Sequence, residues 1–107
     1  MRTRDITADE LRNIGNYGIV LVFFYRDNCT ESQKVKGEIE KISEEGLYFN
    51  GVTFNIDRDI ELAKTFNVDS TPTLLIVKGN EILGRETTLR DSDKIAEWAH
   101  FSVIMGW

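Results

Sequence analysis

Two stretches of this chain are apolar almost without interruption: Ile19-Val20-Leu21-Val22-Phe23-Phe24 and Thr73-Leu74-Leu75-Ile76-Val77. A strand with one wet face alternates apolar and polar side chains, because successive residues point to opposite sides of the sheet. Runs of β-branched and aromatic residues that do not alternate describe strands covered on both faces. Layers of helix must therefore lie on either side, which limits the chain to an α/β architecture.

The intervening segments supply those helices. Thr7-Ala8-Asp9-Glu10 has the form of a capping box and predicts a short helix that Gly15 or Gly18 ends. From Cys29 to Glu45 the chain is polar, but Val35, Ile39 and Ile42 recur at helical spacing and Gly46 offers a stop. Val52, Phe54 and Ile56 alternate as a strand does, after which Asp57 or Asp59 can cap a short helix through Phe66. Lys78-Gly79-Asn80-Glu81 is turn chemistry, so Glu81 to Thr87 reads as the hairpin partner of the second apolar run. Asp91 then caps a last helix carrying Ile95, Trp98, Ala99, Ser102 and Val103 on one face. The core is expected to include Phe23, Phe24, Leu75, Trp98 and Phe101, with His100 a surface or packing residue and not a base, and Trp107 at the end as a tail or contact. Strands linked by helices pair parallel and the hairpin adds antiparallel strands, giving one mixed sheet over residues 1–107.

Charge and cysteine usage remove several function classes. A net charge of −5 without a basic stripe argues against nucleic acid as a partner. No apolar run reaches the length of about 18 residues that a membrane span needs, and Met1-Arg2-Thr3-Arg4-Asp5 has no apolar stretch behind it to make a secretory signal. One cysteine rules out an internal disulfide, and Cys29 with His100 is too few ligands for a structural zinc site. A lone thiol fits a reducing compartment, so the expectation is a cytoplasmic protein and Asn28-Cys29-Thr30 an accidental glycosylation sequon.

From Val20 to Ser32 the chain resembles the thioredoxin family, in which a buried strand runs directly into a helix through W-C-x-x-C. Phe54-Asn55-Ile56-Asp57 is similar to that family's third strand, and Thr71-Pro72-Thr73-Leu74-Leu75-Ile76 to the loop holding a cis-proline opposite its active site. The likeness runs over residues 3 to 103. It implies a thioredoxin-like fold, a central mixed sheet flanked by helices, and thiol–disulfide exchange on protein thiols or disulfides, without a cofactor and as a monomer. It also implies Cys29 and Ser32 as catalytic positions, and Asn28, Thr30, Glu31, Thr71 and Pro72 as the surface that meets substrate.

The chemistry departs from the family where it matters most. A first cysteine at a helix N-terminus is activated by backbone N–H groups, its pKa moving from about 8.5 toward 7. Its thiolate attacks a substrate disulfide, and a second cysteine then resolves the mixed disulfide. Here Ser32 occupies the second position and cannot perform that step. The resemblance also places Phe23 where a buried Asp usually assists the second cysteine, and Thr53 where a Lys accompanies that Asp. Losing all three together describes a monothiol protein whose mixed disulfides are released by an external thiol such as glutathione. A redox-inactive module that binds peptide through Thr71 and Pro72, or a serine engineered into a dithiol thioredoxin, gives the same residues. Asn28 stands where a Trp usually precedes the cysteine, and Thr88 where a groove Gly is usual. Arg26 is expected to favour the Cys29 thiolate and Asp27 and Glu31 to oppose it, for a pKa of about 7 to 8.5.

Overall fold

The computed structural model describes residues 1–47 and 49–106. Five strands form one sheet in the order β1-β3-β2-β4-β5: β1 Thr3–Asp5, β2 Ile19–Tyr25, β3 Asn50–Asn55, β4 Thr73–Lys78 and β5 Glu81–Glu86. The two apolar runs lie in β2 and β4, in the interior of the sheet. β3 pairs parallel with both β1 and β2, and β4 antiparallel with β2 and β5. Helices α1 (Ala8–Arg12), α2 (Thr30–Glu40), α3 (Ile60–Thr65) and α4 (Ser92–Met105) connect and cover the strands.

The sheet divides the core in two. On one side Leu21, Phe23, Leu74 and Ile76 pack with Val35 and Ile39 of α2 and Ile95, Ala99 and Val103 of α4. On the other, Val22, Phe24, Phe54, Leu75 and Val77 pack with Leu11 of α1 and Ala63 of α3. Consecutive residues of β2 thus serve opposite layers, which is why that strand tolerates no polar side chain.

The caps form as the side-chain chemistry requires. Thr7 and Glu10 make the reciprocal capping box of α1, Asp59 accepts from the Leu62 N–H at the start of α3, and Asp91 from the Asp93 N–H at the start of α4. α1 ends at its C-cap Asn13, before either Gly15 or Gly18 expected to stop it, and Gly18, at φ 77°, closes instead the 3-10 turn Ile14–Tyr17 that follows. Asp57 is not the cap of α3; it lies in a 3-10 turn, Ile56–Arg58, whose own cap is Asn55.

Three expectations are corrected. α2 ends at Glu40, a turn before Glu45, because the amides of Lys41 and Ile42 close on Glu38 and Ile39 three residues back. That tightened turn carries Ile42 into the core. Gly46 instead takes a left-handed conformation in the following loop. Phe101 is 62% exposed: the buried face of α4 is Ile95, Ala99, Ser102 and Val103, which turns Phe101 outward with Ile104 and Met105. Trp98 is half-buried against the core and His100 lies edge-on to the Phe49 ring. β1, three polar residues, was not anticipated; it exists because the edge of β3 offers unpaired backbone groups for Thr3, Arg4 and Asp5. Trp107 lies outside the described residues.

Candidate active site

The end of β2 delivers the chain to the tip of α2, and Cys29 is the N-cap of that helix. An N-cap side chain normally offers oxygen to an orphan amide; here the acceptor is sulfur, with the Ser32 N–H 3.4 Å from Cys29 Sγ. Across a short gap runs the loop from α3 to β4, whose Thr71–Pro72 peptide bond is cis. The Cys29 S–H donates to the Thr71 carbonyl at 3.7 Å. Cys29 is half-buried, Pro72 buried and Thr71 half-buried, while Asn28, Thr30 and Glu31 are exposed around the sulfur.

The Cys29 pKa is lowered to about 7. The Ser32 hydroxyl is the largest cause, followed by the Thr71 side chain and the Ser32 N–H, with burial opposing them. The Ser32 Oγ makes no hydrogen bond in the structure, which leaves its O–H free to donate to the sulfur once that sulfur is ionised. The Thr71 carbonyl, by contrast, holds the protonated thiol, because a carbonyl can only accept.

The charges that flank Cys29 in sequence are engaged elsewhere, which corrects the expectation that they tune it. Arg26 Nε lies 2.9 Å from Asp57 Oδ1, and Asp27 accepts from Asn55 Nδ2 at 3.2 Å. Glu31 pairs with Arg90 at 3.0 Å and with Lys34 at 3.7 Å. A paired surface charge acts weakly on a third group. Arg90 also donates to the carbonyls of Thr87 and Leu89, stitching the loop before α4 to the tip of α2. Thr88 is exposed in that loop. Arg90 was not singled out from the sequence; no pattern links it to Glu31, and only the loop between β5 and α4 brings them together.

Behind the site, Phe23 is fully buried and stacked with Tyr25 at 6.0 Å. Thr53, the Cα partner of Phe23, donates its hydroxyl to Asp5 at 2.8 Å. Tyr25 also donates to Asp5, at 3.1 Å, and Arg58 pairs with it at 3.0 Å. Burial, and then the Asp5 charge, push the Tyr25 pKa up to about 12. Asp5 thus sits at the β1 edge, held by Thr53, Tyr25 and Arg58. Among the described residues no group of acidic, Cys or His side chains is placed to hold a metal. Among the described residues no helix is long and apolar enough to cross a membrane. A cleft of about 630 Å³ opens at the opposite end of the sheet, lined by Arg2, Arg4, Val20 and Asn50, and includes none of the site residues.

Comparison with known proteins agrees with this fold. The family model described as Thioredoxin matches residues 6–100. A thioredoxin of Listeria monocytogenes is 30% identical over 95 residues, covering 88% of this chain and 92% of its own. One from Chlamydia muridarum is 29% identical over 95 residues, 89% of each chain. The long form of thioredoxin f from spinach chloroplast superposes with a TM-score of 0.80 at 21% identity, covering 94% of this chain and 86% of its own. A point-mutant thioredoxin from Halobacterium salinarum NRC-1 gives 0.79 at 19% identity, covering 94% and 90%. Thioredoxins act on protein thiols or disulfides and without a cofactor. With the fold, the strand-to-helix thiol and the matched span all in agreement, this chain belongs to the thioredoxin family.

Proposed function

We propose that this protein is a monothiol thiol–disulfide exchange protein of the cytoplasm, acting as a monomer. The observation that carries the reading is the pairing of an activated Cys29 at a helix tip with a serine at the next turn, in a chain with no other cysteine. The Cys29 thiolate attacks one sulfur of a substrate disulfide, the other sulfur leaves as a thiolate, and a mixed disulfide remains on Cys29. Ser32 cannot displace the substrate, so an external thiol such as glutathione does so. Losing an internal partner forgoes an effective concentration on the order of mM, so turnover follows the concentration of that thiol. Asn28, Thr30 and Glu31 on one side of the sulfur, and Thr71 with Pro72 on the other, form the surface that receives the substrate segment.

The experiment is insulin reduction with and without glutathione. Activity that rises with glutathione supports the reading, while full activity with only an NADPH-driven dithiol reductase contradicts it. The variant Ser32→Cys is expected to remove the glutathione requirement by restoring an internal nucleophile. Cys29→Ala separates exchange from simple binding: loss of activity with loss of partner capture supports exchange, and undiminished capture supports a binding module.

A further inference from the structure

Ser32 Oγ is, among the described residues, the one buried side-chain oxygen or nitrogen without a hydrogen-bond partner, on a residue with no exposed surface. A serine within a helix commonly returns its hydroxyl to a carbonyl three or four residues back. At the third position of α2 those carbonyls belong to Cys29 and Asn28, which precede the helix, and no such bond forms. A polar atom held dry and unpaired costs stability unless some state of the protein uses it. The sulfur beside it changes state in every cycle. As a thiol, Cys29 donates to the Thr71 carbonyl; without its proton it can only accept. The Ser32 N–H already points at it, and the Ser32 hydroxyl is a fully buried donor beside it still uncommitted.

We infer that the Ser32 hydroxyl is the hydrogen-bond donor that lets Cys29 leave as a thiolate when an external thiol cleaves its mixed disulfide. This rests on the exchange reading above and assigns Ser32 a role within it. In that step a glutathione thiolate attacks the glutathione sulfur of the Cys29 mixed disulfide. A new disulfide forms between the two glutathiones, and the electron pair of the broken bond goes to Cys29 Sγ. No proton moves; the hydroxyl keeps its own and donates it to the charge that develops on Sγ. A better-stabilised leaving thiolate departs faster, and the same stabilisation makes that thiolate intrinsically less nucleophilic. Ser32 therefore favours release over capture, which suits a protein that has no second cysteine to complete the cycle.

The test compares the parent protein with Ser32→Ala, each loaded on Cys29 with glutathione and followed by intact mass. Release by reduced glutathione is expected to slow about three- to ten-fold in Ser32→Ala, taking a leaving-group sensitivity of the same order as the known nucleophile dependence. Near pH 9.5, where both thiols are ionised, capture from glutathione disulfide is expected to be as fast as in the parent or faster. Equal release rates would overturn the inference, as would equal slowing of release and capture, since that is the signature of lost packing. Absence of any adduct on the parent Cys29 overturns the exchange reading itself, and this inference with it.

Discussion

Cys29 takes its character from what touches it rather than from its sequence neighbours. Arg26, Asp27 and Glu31 all lie within three positions of the thiol, yet each is paired with a partner far along the chain. The groups that lower its pKa are neutral: the Ser32 hydroxyl first, then Thr71 and the Ser32 amide. Rate-versus-pH curves for iodoacetamide alkylation are therefore expected to have a midpoint near pH 7, little changed by 0.5 M salt; a midpoint that moves strongly with salt would point to charge control instead. The sign for stability follows from the same shift. The folded pKa lies below the unfolded one, so the thiolate contributes stability above about pH 8.5 that is lost as pH falls through 7. Chemical denaturation of the parent against Cys29→Ala between pH 6 and 9 is expected to show the difference growing with pH. The position of Cys29 at a helix start was legible in the sequence, as was its partner Ser32. The engagement of its charged neighbours was not, because the ion pairs of Arg26 and Glu31 and the Asp27–Asn55 hydrogen bond form between residues that only the folded chain brings together.

The helices begin where their caps dictate and end where packing permits. Thr7 with Glu10, Asp59 and Asp91 are local devices, each satisfying an amide within three residues, so the sequence reveals them directly. Thr7→Ala is expected to cost about 1 kcal/mol, read as a shift in denaturation midpoint with unchanged slope. Ends are different. α2 stops when its last turn tightens to seat Ile42 against the sheet, a demand set by the core and invisible in the helical spacing. The approach of α4 to β5 is equally non-local. A Cβ at Gly84 would run into Ser102 Oγ, with the Ser102 Cβ at 2.9 Å and the Trp98 ring at 3.1 Å. Gly84→Ala is accordingly expected to destabilise by about 1–3 kcal/mol, with partial recovery when Ser102 is also changed to Gly, measured by thermal unfolding.

At the level of the whole molecule, the sheet places its unsatisfiable positions at the centre and its charged ones at the rim. Phe23 is sealed between α2 and α4, and its partner on the adjacent strand is the neutral Thr53, whose hydroxyl is given to Asp5. Phe23→Asp is therefore expected to destabilise by at least about 3 kcal/mol in urea denaturation near pH 7. It brings no gain in exchange rate, since no second thiol waits to be deprotonated. Even Phe23→Asp combined with Thr53→Lys is expected to remain below the parent in stability, as a buried ion pair rarely recovers its desolvation cost. The composition of β2 and β4, the caps, the hairpin turn and the thiol at the head of α2 were determined by the sequence alone, because each depends on periodicity or on contacts within a turn of chain. The pairing of β1 along β3, the outward turn of Phe101, the Glu31–Arg90 stitch and the dry, unpaired Ser32 hydroxyl were decided by the tertiary structure. Each depends on which distant surface arrives to cover, expose or neutralise a side chain, and that is a property of the packed layers and not of any local run of residues.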